Sequence, residues 1–148
     1  MKRIADQIAV FAAWAVTTVL GFWVMVVVRQ AFMSTLAVLY VEDSIRRGWT
    51  ARFWGQAYYV IAGLIYLIFM FAVDGYLKDG RPKRDVFRRF CMVAGVELLI
   101  LFIGDVVTSL TQGAVLGRLS RMLMPVEGIL GVAMVVYSRL HLAVTRDR

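Results

Sequence analysis

The chain has 148 residues, 61% of them hydrophobic, and a formal net charge of +7. Its mean hydropathy is +0.73, and its charges cluster between apolar runs, so the roughly half-apolar composition of an ordinary soluble domain is excluded. A single cysteine, Cys91, and a single histidine, His141, exclude an intrachain disulfide, a dithiol relay and bis-histidine haem ligation.

The first apolar run, about 8–28, has too short a lead to be a secretory signal, and no small-residue cleavage site with a polar mature sequence follows it. It is expected to remain as a helix. Within it Ala5, Ala9, Ala13, Thr17 and Gly21 recur every four residues. Such a ridge of small side chains lets another backbone approach closely, which is how helices associate in lipid.

Residues 30–45 add a short apolar stretch that is too brief for another span. It is expected either to extend the first helix, to lie along the outer interface, or to dock on a neighbour. The second run, about 54–77, opens with Trp49, Trp54, Tyr58 and Tyr59, amphipathic rings suited to headgroup level, and Thr50 is the expected N-cap. A short polar link containing Gly80 and Pro82 follows, so the second and third helices are expected to be antiparallel neighbours.

The third run, about 86–110, carries Glu97 with no opposite charge within a helical turn. A carboxylate in such a stretch is costly unless neutral, paired or solvated, so it is the first candidate for function. Glu97 lies roughly 15 Å from the start of this helix, with Asp105 about 12 Å further on. Asp74 near the inner end of the second helix and Glu127 near the outer end of the fourth complete a ladder of acids that a proton or cation pathway would use. The structural alternative pairs Asp74 with Arg88, Arg89 or Arg139, and Asp105 and Glu127 with Arg29, Arg118 or Arg121. Thr17, Thr18 and Tyr66 are the expected polar neighbours of Glu97.

The fourth run, about 125–144, begins with Pro125, acceptable in a first helical turn, and has its own small-residue positions at Gly128, Gly131 and Ser138. His141 sits at its end beside Arg139 and reads as an interfacial side chain.

Basic residues are denser near the two termini and in the 78–89 link than near 29–52 and 118–121, which places both termini and that link in the cytoplasm. Contact with anionic headgroups accounts for the basic character without nucleic acid.

The fold expected is an all-α integral membrane protein: one domain, residues 1–148, a four-transmembrane-helix bundle with an additional external apolar or interfacial segment around 30–45. Its expected location is a bacterial cytoplasmic membrane. No catalytic motif, phosphate-cradling glycine loop or metal-ligand spacing is present, and no cofactor is implied, although the methionines and aromatics would suit a bound lipid or quinone. The leading functional expectation is a non-catalytic accessory subunit packing its helix 1 ridge on other membrane subunits. The alternatives are an oligomeric proton- or cation-coupled transporter using Glu97, and a lipid- or quinone-binding module. The expected partners are membrane lipids and either other subunits or further copies of the chain.

Overall fold

In a hydrocarbon solvent no water competes for backbone polar groups, so a chain this apolar must satisfy them within helices. The computed structural model describes residues 2–39, 44–79, 83–112 and 118–146, and these are almost wholly helical. Four helices follow in order: α1 (Lys2–Leu39), α2 (Ser44–Lys78), α3 (Lys83–Gln112) and α4 (Arg118–Arg146). Three of them contain segments long and apolar enough to cross a membrane, Gln7–Leu39, Arg52–Lys78 and Asp85–Thr111; α4 is not among these.

Of the alternatives for the segment after residue 30, extension of the first helix holds: α1 runs unbroken to Leu39, in place of a separate interfacial piece. The expected cap is corrected: α2 begins at Ser44, so Thr50 lies inside the helix and does not cap it. The physical reason is mutual support. Phe32 stacks on Tyr58 at 6.0 Å and meets the edge of Trp54 at 6.3 Å, so the extension of α1 is packed on α2 within its third and fourth turns. At 38 residues, α1 is about 57 Å long, well beyond the ~30 Å of a hydrocarbon core.

The helices are arranged in the spatial order α2, α1, α3, α4. The most extensive interfaces are α1 with α3 and α3 with α4; α1 meets α2 less broadly, α2 touches α3 only lightly, and among the described residues α2 and α4 do not meet. The expected close pairing of α2 with α3 is therefore replaced by α1 with α3. A short connection fixes where helix ends lie, but side-chain size decides which faces come together. Gly104 illustrates this: a Cβ there would stand 2.7 Å from Val27 Cγ1.

Helices α1 and α3 run parallel in a nearly constant register. Thr111 donates to Ser34 Oγ at 2.8 Å across an offset of 77 residues, and the same offset relates Val27 to Gly104. The Gly21–Glu97 contact, offset by 76, continues the same parallel alignment. Thr17, Ala31 and Ser34 on α1, and Ala94, Leu101 and Thr108 on α3, are buried there. By contrast α3 and α4 are antiparallel and meet through glycines. A Cβ on Gly95 would lie 3.0 Å from the Gly131 carbonyl oxygen, and one on Gly128 would lie 3.1 Å from the Phe102 ring.

At the end where α1 begins, α2 finishes and α3 starts, Val10, Val73, Leu77 and Val86 form a small core, backed by Trp14, Phe69 and Phe90. That core holds three helices together at one level. Further along, α2 diverges enough to leave a cleft.

Candidate functional site

Glu97 is buried, with 4% of its surface exposed, on the α3 face directed towards α1 and α2. Neither Oε1 nor Oε2 has a hydrogen-bond partner. The side chain reaches into a space that exists because residue 21 lacks a side chain. A Cβ at Gly21 would be 3.0 Å from Glu97 Oε1, 3.0 Å from Phe69 Cε1 and 3.3 Å from the Tyr66 ring.

This space is part of a cavity of about 330 Å³ between α1, α2 and α3, walled by Gly21, Met25, Tyr58, Tyr66, Phe69 and Glu97 among others. Ile61 and Ile65 also border it and are exposed, at 55% and 61%. The cavity therefore opens on the side of the helix layer that lipid would cover.

The hydroxyls around the cavity are already committed. Tyr66 donates to the Thr18 carbonyl at 2.8 Å, and Tyr58 donates to the Met25 carbonyl at 2.6 Å. Thr17 donates within its own helix, to the Ala13 and Trp14 carbonyls at 3.1 and 3.0 Å. Of the three expected neighbours of Glu97, Tyr66 shares the cavity with it but bonds the Thr18 carbonyl, and Thr17 bonds its own helix. Among the described residues lining the cavity, the Glu97 carboxyl is the buried polar group without a partner. Among the described residues no three His, Cys, Asp or Glu side chains converge, so the chemistry on offer is that of one carboxyl group.

The other acids are placed differently. Asp74 pairs with Lys78 one turn along its own helix, at 2.5 Å, and not with any of the three arginines expected. Arg88 instead lies 4.0 Å from Asp85, and Arg89 donates to the Tyr76 carbonyl while its guanidinium lies over the Tyr76 ring. Asp105 on α3 and Glu127 on α4 come near enough for their charges to interact, and Glu127 Oε2 is buried without a partner. Arg29, offered as a cation for these two, lies over the Tyr59 ring at 5.0 Å. The side chains of Arg118, Arg121 and His141 fall outside the described residues. The acids are thus placed apart: Glu97 faces α1 and α2, while Asp105 lies within electrostatic range of Glu127 on α4.

Of the small-residue ridge, Thr17 and Gly21 are buried, Gly21 among Glu97, Phe69 and Tyr66, whereas Ala9 and Ala13 line a shallow groove with Val86 and Phe90; the Ala5 side chain lies outside the described residues. Gly131 is buried against Gly95, and Gly128 lies against Phe102. Sequence reasoning missed Phe69 and Tyr58 as cavity walls and Gly95 as the partner of Gly131. A glycine and a glutamate at equal depth on two apolar helices was the signal available for the Gly21–Glu97 contact.

Compared with known protein families, with curated proteins and with solved structures, the chain matches none.

Proposed function

We propose that the protein is a membrane-embedded binding module that takes an apolar molecule with one polar group, of the lipid or quinone kind, into the cleft between α1 and α2. The observation that carries this reading is the Glu97 carboxyl, 4% exposed and without a partner at the wall of an apolar cavity. A buried polar group left unmade costs about 1–3 kcal/mol, more when charged, and a ligand group bonded to it removes that cost. The occupied phenols make Glu97 the point of recognition, while the rings of Tyr58, Tyr66 and Phe69 supply contact for the apolar body.

Helix α4 completes the arrangement as a fourth span, antiparallel to α3 and at the same depth through the glycine contacts. Both termini then share one side of the membrane, which the distribution of basic residues makes cytoplasmic.

The test is extraction and mass spectrometry of what travels with the purified protein. The wild type is expected to carry one apolar compound in a fixed ratio, and Glu97→Gln, which keeps the shape and loses the ionisable group, to retain it at least tenfold less well. Equal retention by both would remove the reading.

A second reading uses the same carboxyl. An unpartnered acid in a lipid-open cleft can exchange a proton for a cationic ligand, so the transporter reading has its coupling group in place. It requires flux in reconstituted vesicles that responds to a pH gradient and is abolished by Glu97→Gln. The accessory-subunit reading draws less from this geometry, because Thr17 and Gly21 of the ridge are buried within the chain's own fold, Gly21 against Glu97 of α3 and Phe69 and Tyr66 of α2.

A further inference from the structure

A second polar feature lies away from Glu97, where α2 finishes and α3 begins. A hollow of about 270 Å³ is lined there by Tyr76 of α2, Arg88 and Met92 of α3, and Ser138 and Arg139 of α4. It sits in the gap between α2 and α4, which do not meet among the described residues. Two guanidinium groups from different helices thus share one concavity.

Little within the hollow neutralises them. The acid nearest Arg88 is Asp85, half exposed and 4.0 Å away, at the limit of an ion pair. Ser138 donates its hydroxyl to the Val135 carbonyl at 2.8 Å, so the free donors are those of the arginines. Arg89 clamps Tyr76 in place, bonding its carbonyl and covering its ring.

The depth of the hollow also fits. Tyr76 is two residues from the end of one apolar span, and Arg88 three residues from the start of the next. Both therefore stand within about 5 Å of a span end, the level of lipid phosphates. From there Met92, Val96, Ile100 and Ile103 continue down one face of α3 at three- and four-residue spacing, with Ile100 also bordering the Glu97 cavity. Val96, Ile100 and Ile103 are 41%, 39% and 59% exposed. A cationic mouth leading onto an apolar track matches the two halves of a phospholipid.

We propose that this hollow binds the phosphate headgroup of an anionic phospholipid through Arg88 and Arg139, with an acyl chain lying along Met92, Val96, Ile100 and Ile103. Paired guanidiniums suit phosphate because each presents a planar fork of donors to its oxygens. A free phosphate would satisfy the arginines but not the apolar track, so the lipid is the occupant inferred.

The experiment uses the full chain in phosphatidylcholine nanodiscs titrated with phosphatidylglycerol, with lipid retention read by native mass spectrometry. The wild type is expected to retain phosphatidylglycerol in preference to phosphatidylcholine. The Arg88→Gln/Arg139→Gln double variant is expected to bind it roughly 30-fold more weakly, from about one basic residue's worth of attraction at each position. Arg52→Gln, which removes one positive charge at the opposite end of α2, is expected to leave retention unchanged, and Arg88→Gln alone, which also removes one, to lower it about fivefold. Wild-type retention by the double variant, an equal loss in Arg52→Gln, or full displacement by millimolar inorganic phosphate would each overturn the proposal. Should the double glutamine variant fail to fold, Arg88→Lys/Arg139→Lys keeps the charges and loses the forks; it is expected to bind more weakly than wild type, and equal binding overturns the assignment.

Discussion

At the scale of single residues, Glu97 and Gly21 form one device: the glycine makes the space into which the carboxyl projects. Gly21→Ala would place a methyl 3.0 Å from both Glu97 Oε1 and Phe69 Cε1. It is expected to lower stability by about 1–3 kcal/mol through overpacking and to reduce cavity occupancy, as checked by thermal melting in detergent and by ligand retention. Glu97→Leu should act in the opposite direction on stability. It replaces a buried carboxyl that has no partner with an apolar group of similar size, so the empty protein should gain about 1–3 kcal/mol while losing its ligand. A lower Tm for the ligand-free Glu97→Leu variant would show that the carboxyl is bonded within the fold and would remove the reason for assigning it to a ligand. Glu97 was legible as the functional candidate because its neighbours in sequence are all uncharged and apolar. Its lack of a partner was not legible, since Thr17, Thr18 and Tyr66 lie at the right depth and only their directions decide what they bond.

At the scale of elements, glycine positions sort into those that carry an interface and those that do not. A Cβ at Gly95 would meet the Gly131 carbonyl at 3.0 Å and the Val135 side chain at 2.9 Å, and the carbonyl is backbone that has no rotamer to yield. Gly95→Ala is therefore expected to separate α3 from α4 and to cost about 1–3 kcal/mol. Gly63 on α2 has nothing within 4 Å of a Cβ, so Gly63→Ala should be within about 0.5 kcal/mol of wild type. Melting both variants side by side checks the pair, and similar losses would mean that α4 is not seated on α3 as described. The existence of the helices was readable from apolar runs, and their identity did not change. Their limits were read less well: α1 exceeds its apolar run where Phe32 packs on Trp54 and Tyr58 of α2, a contact that the run itself does not contain, and α2 starts ten residues ahead of its own run.

At the scale of the whole molecule, α1 and α3 form the firm seam and α2 is the lightly held wall of the cleft. Only 11% of the most apolar stretch of α2 is buried, against 33% for α3, and its attachment to α1 beyond the core combines the Tyr58 and Tyr66 hydroxyl bonds with ring packing of Phe22 and Phe32 on Trp54, Tyr58 and Tyr66. Interhelical hydrogen bonds in membranes average about 0.6 kcal/mol each, so Tyr58→Phe/Tyr66→Phe should loosen α2 by roughly 1 kcal/mol without unfolding the seam. Hydrogen exchange is expected to rise along α2 and to stay unchanged in α1 and α3 around Val27 and Gly104; a uniform rise across all helices would contradict the division into seam and wall. By itself the sequence determined that this protein is helical and suited to a membrane, because hydropathy is a local property and lipid forces backbone groups to bond within each segment. It also determined that one acid, Glu97, stands apart from the other charges. The tertiary structure alone decided that α3 packs on α1 in preference to α2, that Arg88 and Arg139 share a hollow, and that Glu97 opens onto a cavity. Those outcomes depend on how small and large side chains fit across surfaces distant in sequence, and no run of residues read alone contains that information.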